Sequence, residues 1–240
     1  MQKREEKGLK RLGIIAAADD EIQPLIDQMQ IESVIETAKL KLFVGQWQKQ
    51  AVIAVRCGVG KVNAALAAQL LINQSLSALL MTGTAGALDS RLKIGDVVIL
   101  EQCTYHDVDL QGVLMDYHPY MKDPWFTSDP KLTAWAKAAA TQADLQGQVW
   151  TGRGVTGDQF IDQDQRDSII ERLDPLCVDM ESAAVAHVAY VNDVPFLAIR
   201  AISDTPFNSG LEVYHAHSES AAKQALILFN AMMRKGKPIE

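Results

Sequence analysis

Residues 177–205 read Cys-Val-Asp-Met-Glu-Ser-Ala-Ala-Val-Ala-His-Val-Ala-Tyr-Val-Asn-Asp-Val-Pro-Phe-Leu-Ala-Ile-Arg-Ala-Ile-Ser-Asp-Thr. The pattern predicts a short strand ending in carboxylates, Asp179 and Glu181, then a small-residue helix opening at Glu181. A second apolar strand from Pro195 to Ile202 delivers Ser203 and Asp204. Acids therefore stand at two C-terminal strand ends, the edge at which open parallel α/β sheets bind ligands. The second strand is apolar on both faces, as a central buried strand is, and yet Arg200 interrupts it. A buried guanidinium needs a carboxylate partner. Arg200 is then either a structural ion pair pinning helix to sheet or part of a site, and converging acids favour the site.

The chain around this stretch is long enough, at 240 residues and 48% hydrophobic content, to bury a full core. No linker divides it, so residues 1–240 are read as one domain, with 1–10 as a flexible N-terminal extension. The formal net charge of -7 disfavours nucleic acid and anionic membrane surfaces as partners. The charged N-terminus lacks the apolar stretch of a signal peptide, and no later run has the length to span a bilayer. A cytoplasmic location is the expectation. Cys57, Cys103 and Cys177 are widely spaced in apolar segments, which suits buried reduced thiols better than disulfides or metal ligands. His215 and His217 lack a third ligand candidate, so neither a metal nor a cofactor is expected.

Residues 11–17 predict a buried first strand, followed by a helix to about Met29. Asp19 and Asp20 at its start are read as capping residues suited to the helix dipole, whereas Glu21 stays open because it lies just past a strand end. Residues 40–47 and 51–56 read as a hairpin. Gly58-Val59-Gly60-Lys61 lacks the further residues of a P-loop or dinucleotide fingerprint, and reads as a tight turn where backbone passes close to a ligand or another strand. A strand at 77–81 ends in Thr82-Gly83-Thr84-Ala85-Gly86-Ala87, whose backbone N–H groups can approach a ligand unobstructed. Two further strands are expected at 92–100 and 103–110. His106 beside Asp107 reads as a satisfied structural pair in preference to a catalytic one. Aromatic residues between Gln111 and Ser128 suggest an ordered loop packing on something, such as a second subunit. Asp129 and Pro130 open a helix to about Ala143, a strand spans 148–155, and a loop follows with Phe160 and Ile161. After Asp204 a loop precedes a last helix over 218–233. No Gly-x-Ser-x-Gly elbow supports a serine hydrolase.

Several segments together, spread over nearly the whole chain, resemble the nucleoside phosphorylase and hydrolase superfamily, and within it the 5'-methylthioadenosine/S-adenosylhomocysteine nucleosidases. The matching segments are Gly13 to Glu21, Gly58 to Val62, Thr82 to Gly86, Tyr105 to Asp109, Gly157 to Ile161, Val178 to Glu181 and Arg200 to Asp204. Thr84 stands for the family's Ser, Asp179 for its Glu and Ala18 for its common Met. The resemblance implies an α/β fold: a single-domain three-layer sandwich with a central mixed, mostly parallel twisted sheet flanked by helices. It also implies a homodimer acting on a small-molecule nucleoside, with no cofactor.

Cleaving the N9–C1' bond of a 5'-substituted adenosine passes through an oxocarbenium-like state, which needs a protonated leaving group, an activated water and nearby negative charge. By resemblance, Asp204 would protonate adenine N7, as an acid holding its proton at a desolvated strand end beside other acids. Glu21 would be the base for water, Glu181 would hold ribose hydroxyls with Met180 lining the sugar, and Arg200 would steady Glu181 and the water. Phe160 would stack on adenine while the Ile161 backbone reads its edge, and Thr84 would touch sugar or water. Val59, Ala85, Gly86, Asp179, Ser203 and Tyr214 complete the expected substrate-binding set. Val113 and Met115 fall near positions where some members place rings against the 5' substituent, so that end of the substrate stays open. The alternatives are a phosphorylase, disfavoured because acid in the Ala16 to Glu21 loop repels phosphate, and a non-catalytic nucleoside binder, disfavoured because a binder gains little from three desolvated acids.

Overall fold

A computed structural model describes residues 11–108 and 112–236; the expected N-terminal extension at 1–10 and the segment 109–111 lie outside the described residues. Strands β1 (Arg11–Ala16), β5 (Leu76–Ala87) and β10 (Phe196–Asp204) form the centre of a ten-stranded sheet. They lie parallel and in that order, with β5 in the middle, and every residue of β10 is buried. Burying a Leu or Ile side chain contributes about 1.5–3 kcal/mol, so apolar residues on both faces of β10 drive it to the middle of the molecule. The strand path runs β10-β6-β8-β9-β5-β1-β4-β3-β2, with the two-residue β7 (Phe126–Thr127) pairing β6 off this path, and an additional β10–β5 pairing closes the first five strands into a ring. The ring's other members are β6 (Val97–Tyr105), β8 (Val149–Thr156) and β9 (Cys177–Asp179). On the far side of β1, strands β2 (Gln30–Thr37), β3 (Leu40–Trp47) and β4 (Gln50–Arg56) continue the sheet as a meander. The sheet is mixed, as expected.

Helices cover both faces. On one, α1 (Asp19–Ile26), α4 (Pro130–Ala140) and α7 (Leu211–Lys235) pack through Ile22, Leu25, Trp135 and Phe229. On the other, α2 (Lys61–Ile72) and α6 (Ser182–Val191) meet through alanines, including Ala64, Ala67, Ala183 and Ala186, which allow close approach. The helix α5 (Gln163–Leu173) closes a third, smaller cluster with Ile161, Ile169 and Val178.

Several expected boundaries move. The strand expected at 77–81 runs on from Thr82 through Ala87 as the tail of β5, because that backbone is paired by β10 on one side and, at its end, by β9 on the other. The two strands expected at 92–100 and 103–110 are one strand, β6; the end of the second expectation, at Asp109 and Leu110, lies outside the described residues. The last helix begins at Leu211, seven residues before the expected 218, since residues 211–217 pack on no core face: Leu211, Glu212, His215 and Ala216 are exposed and Val213, Tyr214 and His217 only half-buried. Strand β2 is exposed along nearly its whole length and helix α5 is highly polar, so neither carries the burial pattern that would announce it. The helix α1 stops at Ile26, short of Met29.

Candidate active site

The C-terminal ends of β1, β5, β9 and β10 open on one cavity of about 270 Å3. Its walls include Ala17, Ala18, Glu21, Val59, Thr84, Ala85, Gly86, Phe160, Ile161, Asp179, Met180, Glu181, Ser203, Asp204 and Tyr214. Every expected site residue therefore lines one space except Arg200, which is wholly buried beneath it. No lysine or arginine is among the described residues that line the cavity.

Glu21 is placed by the turn from β1 into α1. From the third position of the helix its Oε2 reaches back to accept the backbone N–H groups of Ala17 (3.0 Å) and Ala18 (3.1 Å). The Ala18 N–H is the N-cap donor of a capping box, and a carboxylate at this helix start also complements the dipole. Its Oε1 accepts the Thr84 N–H (2.8 Å) and hydroxyl (2.9 Å). Capping is thus done by Glu21; Asp19 sits in the first turn and pairs outward with Arg56. The alternative left open for Glu21 in the sequence resolves as both: it closes the helix and faces the cavity.

Arg200 projects from mid-β10 into a nest of acids. Its Nε lies 2.9 Å from Asp179 Oδ2 and its Nη2 3.3 Å from Glu181 Oε2, and Nε also donates to Ser182 Oγ at 3.0 Å. Burial alone would favour a neutral guanidine, but Asp179 and then Glu181 outweigh it and raise the group above its ordinary range. Asp179 is the closer partner. Its Oδ1 accepts the Thr156 hydroxyl (2.6 Å) and the N–H groups of Glu181 and Ser182 (both 3.0 Å), so it organises the start of α6. Glu181 accepts the Gly60 N–H at 3.0 Å, which is where the Gly58 to Lys61 turn passes close to another element. Gly58 and Gly60 have φ of +86° and +98°, which favours glycine there. Burial pushes the Glu181 carboxyl up to about 7; Arg200 opposes the shift and the Asp179 charge adds to it.

Also lining the cavity, Phe160 meets Tyr214 edge-on, with ring centroids 6.0 Å apart. Asp204 ends β10. Its Oδ1 accepts the Ser203 hydroxyl (2.9 Å) and its Oδ2 takes the Nη2 of Arg166 (2.5 Å). The setting expected for Asp204, a desolvated strand end beside other acids, is corrected in part: the strand end is buried, but a cation, Arg166, sits against it.

These features coincide with a wider likeness. The family model described as "Phosphorylase superfamily" matches residues 11–234. A 5'-methylthioadenosine/S-adenosylhomocysteine nucleosidase of Staphylococcus carnosus is 35% identical over 228 residues, covering 93% of this chain and 99% of that protein. The chain belongs to the phosphorylase superfamily. Among solved structures, the nucleosidase of the same description from Colwellia psychrerythraea in complex with adenine superposes with a TM-score of 0.89 at 29% identity, covering 97% of this chain and 98% of that one. The Neisseria meningitidis nucleosidase in complex with methylthio-immucillin-A gives a TM-score of 0.86 at 28% identity, over 95% and 100% of the two chains.

Some expectations meet a different structure. His106 does not pair with Asp107: Asp107 takes Lys61 Nζ (2.8 Å) and the Asp158 N–H (3.0 Å). The His106 Nε2 is buried without a hydrogen-bond partner among the described residues, and burial lowers the ring's affinity for a second proton. Val113 and Met115 do not line the cavity of their own chain; they lie in α3 (Val113–Asp116), where Val113 is exposed. Cys57, Cys103 and Cys177 are buried free thiols, and burial raises each above its ordinary range. Gln159, Leu211 and Arg166 escaped the sequence reading. The first two flank recognisable features, but an arginine in a polar helix carries no signal of its own.

Proposed function

We propose that the protein hydrolyses the N-glycosidic bond of 5'-substituted adenosines, releasing adenine and a 5-substituted ribose. The nucleosidase relatives named above support the substrate class. The seating of Glu21 carries the choice of water over phosphate. A phosphorylase needs free N–H donors or cations to hold a dianion. Here the N–H groups of Ala17, Ala18 and Thr84 are already taken by the Glu21 carboxylate. An anion brought there would meet negative charge, whereas a water would meet a base.

In this reading Glu21 takes a proton from the attacking water, Glu181 accepts the ribose hydroxyls and Asp204 protonates N7. Met180 lines the sugar, Phe160 stacks on the base with Tyr214 behind it, and the Ile161 backbone meets the base edge. Arg200 steadies Glu181 from below through the contact at 3.3 Å. The enzyme acts as one domain in the cytoplasm, in salvage of methylthio nucleosides, and as a homodimer. Exposed Val113, Tyr117 and Tyr120 offer apolar surface for such pairing. No helix among the described residues is long and apolar enough to cross a membrane. Incubation with methylthioadenosine, followed by chromatography, tests the reaction: adenine should appear equally with and without phosphate. Release that requires phosphate, or none from any 5'-substituted adenosine, would overturn it.

A further inference from the structure

Helix α5 has one residue out of keeping with its polar, solvated character. Arg166 is 1% exposed and runs inward to the base end of the cavity. Its Nη2 meets Asp204 Oδ2 at 2.5 Å and the Ile161 carbonyl at 3.4 Å, and its Nη1 donates to the Ala87 carbonyl. One guanidinium thus joins the end of β5, the loop after β8 and the end of β10. Two of the three residues it touches, Ile161 and Asp204, line the cavity.

We propose that Arg166 is the positioning residue of the leaving-group acid, an inference that rests on the nucleosidase reading. The guanidinium fixes the Asp204 carboxyl relative to the Ile161 backbone, so that a base meeting Ile161 presents N7 to Asp204. It also stabilises what proton transfer leaves behind. Asp204, ion-paired with Arg166 in the resting enzyme, takes up one proton from solvent as the nucleoside binds; as the C1'–N9 bond breaks, its electron pair goes to the purine and that proton goes to N7. Water adds its oxygen to C1' and gives its proton to Glu21. Neutral adenine departs, and Asp204 is left as a carboxylate beside a cation that was already in place, which is the preorganised arrangement that favours a charged product of a proton transfer.

A purely structural anchor accounts for less. Buried ion pairs are weak stabilisers compared with apolar packing of the same volume, and this one leaves the Arg166 Nε buried with no hydrogen-bond partner among the described residues. A methionine or leucine would tether α5 without that cost. A guanidinium is warranted where its charge acts on Asp204 while its two Nη groups hold the Ile161 and Ala87 carbonyls in place around it.

The test compares two leaving groups. Adenine needs protonation to depart, whereas 4-nitrophenolate leaves unprotonated, so 4-nitrophenyl 5-methylthioribofuranoside bypasses the acid. Wild type, D204N, R166M, R166Q and R166K are assayed on methylthioadenosine and on this substrate, with circular dichroism to establish folding. R166M and R166Q should lose at least about a hundredfold in kcat on methylthioadenosine, the scale of a general-acid contribution. On the 4-nitrophenyl substrate they should stay within about fivefold of wild type, as D204N should. R166K, which keeps the charge, should recover at least about tenfold of the loss. Equal losses on both substrates in a folded neutral variant, or near-normal turnover of methylthioadenosine, would overturn the proposal. Failure of both neutral variants to fold would assign Arg166 to the structure alone and overturn it too. Failure of the nucleosidase reading would show in the wild type itself, as no adenine from methylthioadenosine, and would take this proposal with it.

Discussion

Gly83 stands directly beside Arg200 in the parallel pairing of β5 with β10, and a Cβ on Gly83 would lie 2.5 Å from Arg200 Nη1 and 2.8 Å from Glu21 Oε1. The absence of a side chain at this one position is what lets the base candidate and the buried arginine share the same depth of the sheet. Its φ of +144° is also one that L side chains rarely adopt. The G83A variant should therefore lose about 1–3 kcal/mol of stability and most of its turnover, because Glu21 must shift off Thr84 to make room. Denaturant unfolding together with adenine release checks this, and wild-type values for both would show that the cleft has slack.

Glu21 to Gln separates the two jobs of that carboxylate. The amide oxygen can still accept the Ala17 and Ala18 N–H groups and so keep the start of α1 closed. It cannot take a proton from water. Turnover of methylthioadenosine should fall at least about a hundredfold, and stability by about 1–3 kcal/mol, because the amide NH2 then faces the buried Thr84 N–H that Oε1 accepts. Near-normal turnover would remove Glu21 from the base role.

How much of this could be read in the residues depends on what each element buries. Strands β1 and β10 announced themselves because they are apolar on both faces, and the acids at their ends followed by position alone. The ring closure of β5, β10, β6, β8 and β9 did not, since it depends on which neighbours satisfy the glycine-rich tail of β5. In the site, Glu21, Thr84, Glu181 and Asp204 sit in motifs whose order along the chain betrays them. The closeness of Asp179 to Arg200 and the approach of Arg166 to Asp204 are facts of three-dimensional register. A polar helix such as α5 offers no periodicity from which one inward arginine could be picked out.

Glu181 gives a pH signature. Its carboxyl is pushed by burial from an ordinary 4.5 to about 7 in the folded protein. Between those values the folded state binds the proton more tightly than the unfolded chain does, so folding loses stability as pH rises through this window and keeps the full contribution below it. The E181Q variant cannot titrate there. Its stability should decline less than that of wild type between pH 5 and pH 8, by about 1–3 kcal/mol. Urea unfolding of both proteins across that range, at one protein concentration, is the measurement; parallel curves would mean that Arg200 holds Glu181 ionised throughout.

The 5' end of the substrate turns on Ala18. Ala17, Ala18 and Val59 line the site cavity and also a neighbouring cavity of about 580 Å3, so this small-residue turn is the wall between the two spaces. Lys39, Lys41 and Arg56 stand on the far side. Methionine at 18, as is common in the relatives that the sequence resembles, would thicken the wall and offer apolar contact to a methylthio group. A contact of that size is worth about 1–3 kcal/mol in discrimination where it is fully formed, and at the rim of an open cavity the lower end applies. The A18M variant should shift the ratio of kcat/KM for methylthioadenosine over S-adenosylhomocysteine upward, by about threefold to tenfold, through KM more than kcat. Both substrates assayed on both proteins decide it. A ratio that does not move would place the 5' substituent away from Ala18, against other lining residues such as Leu211.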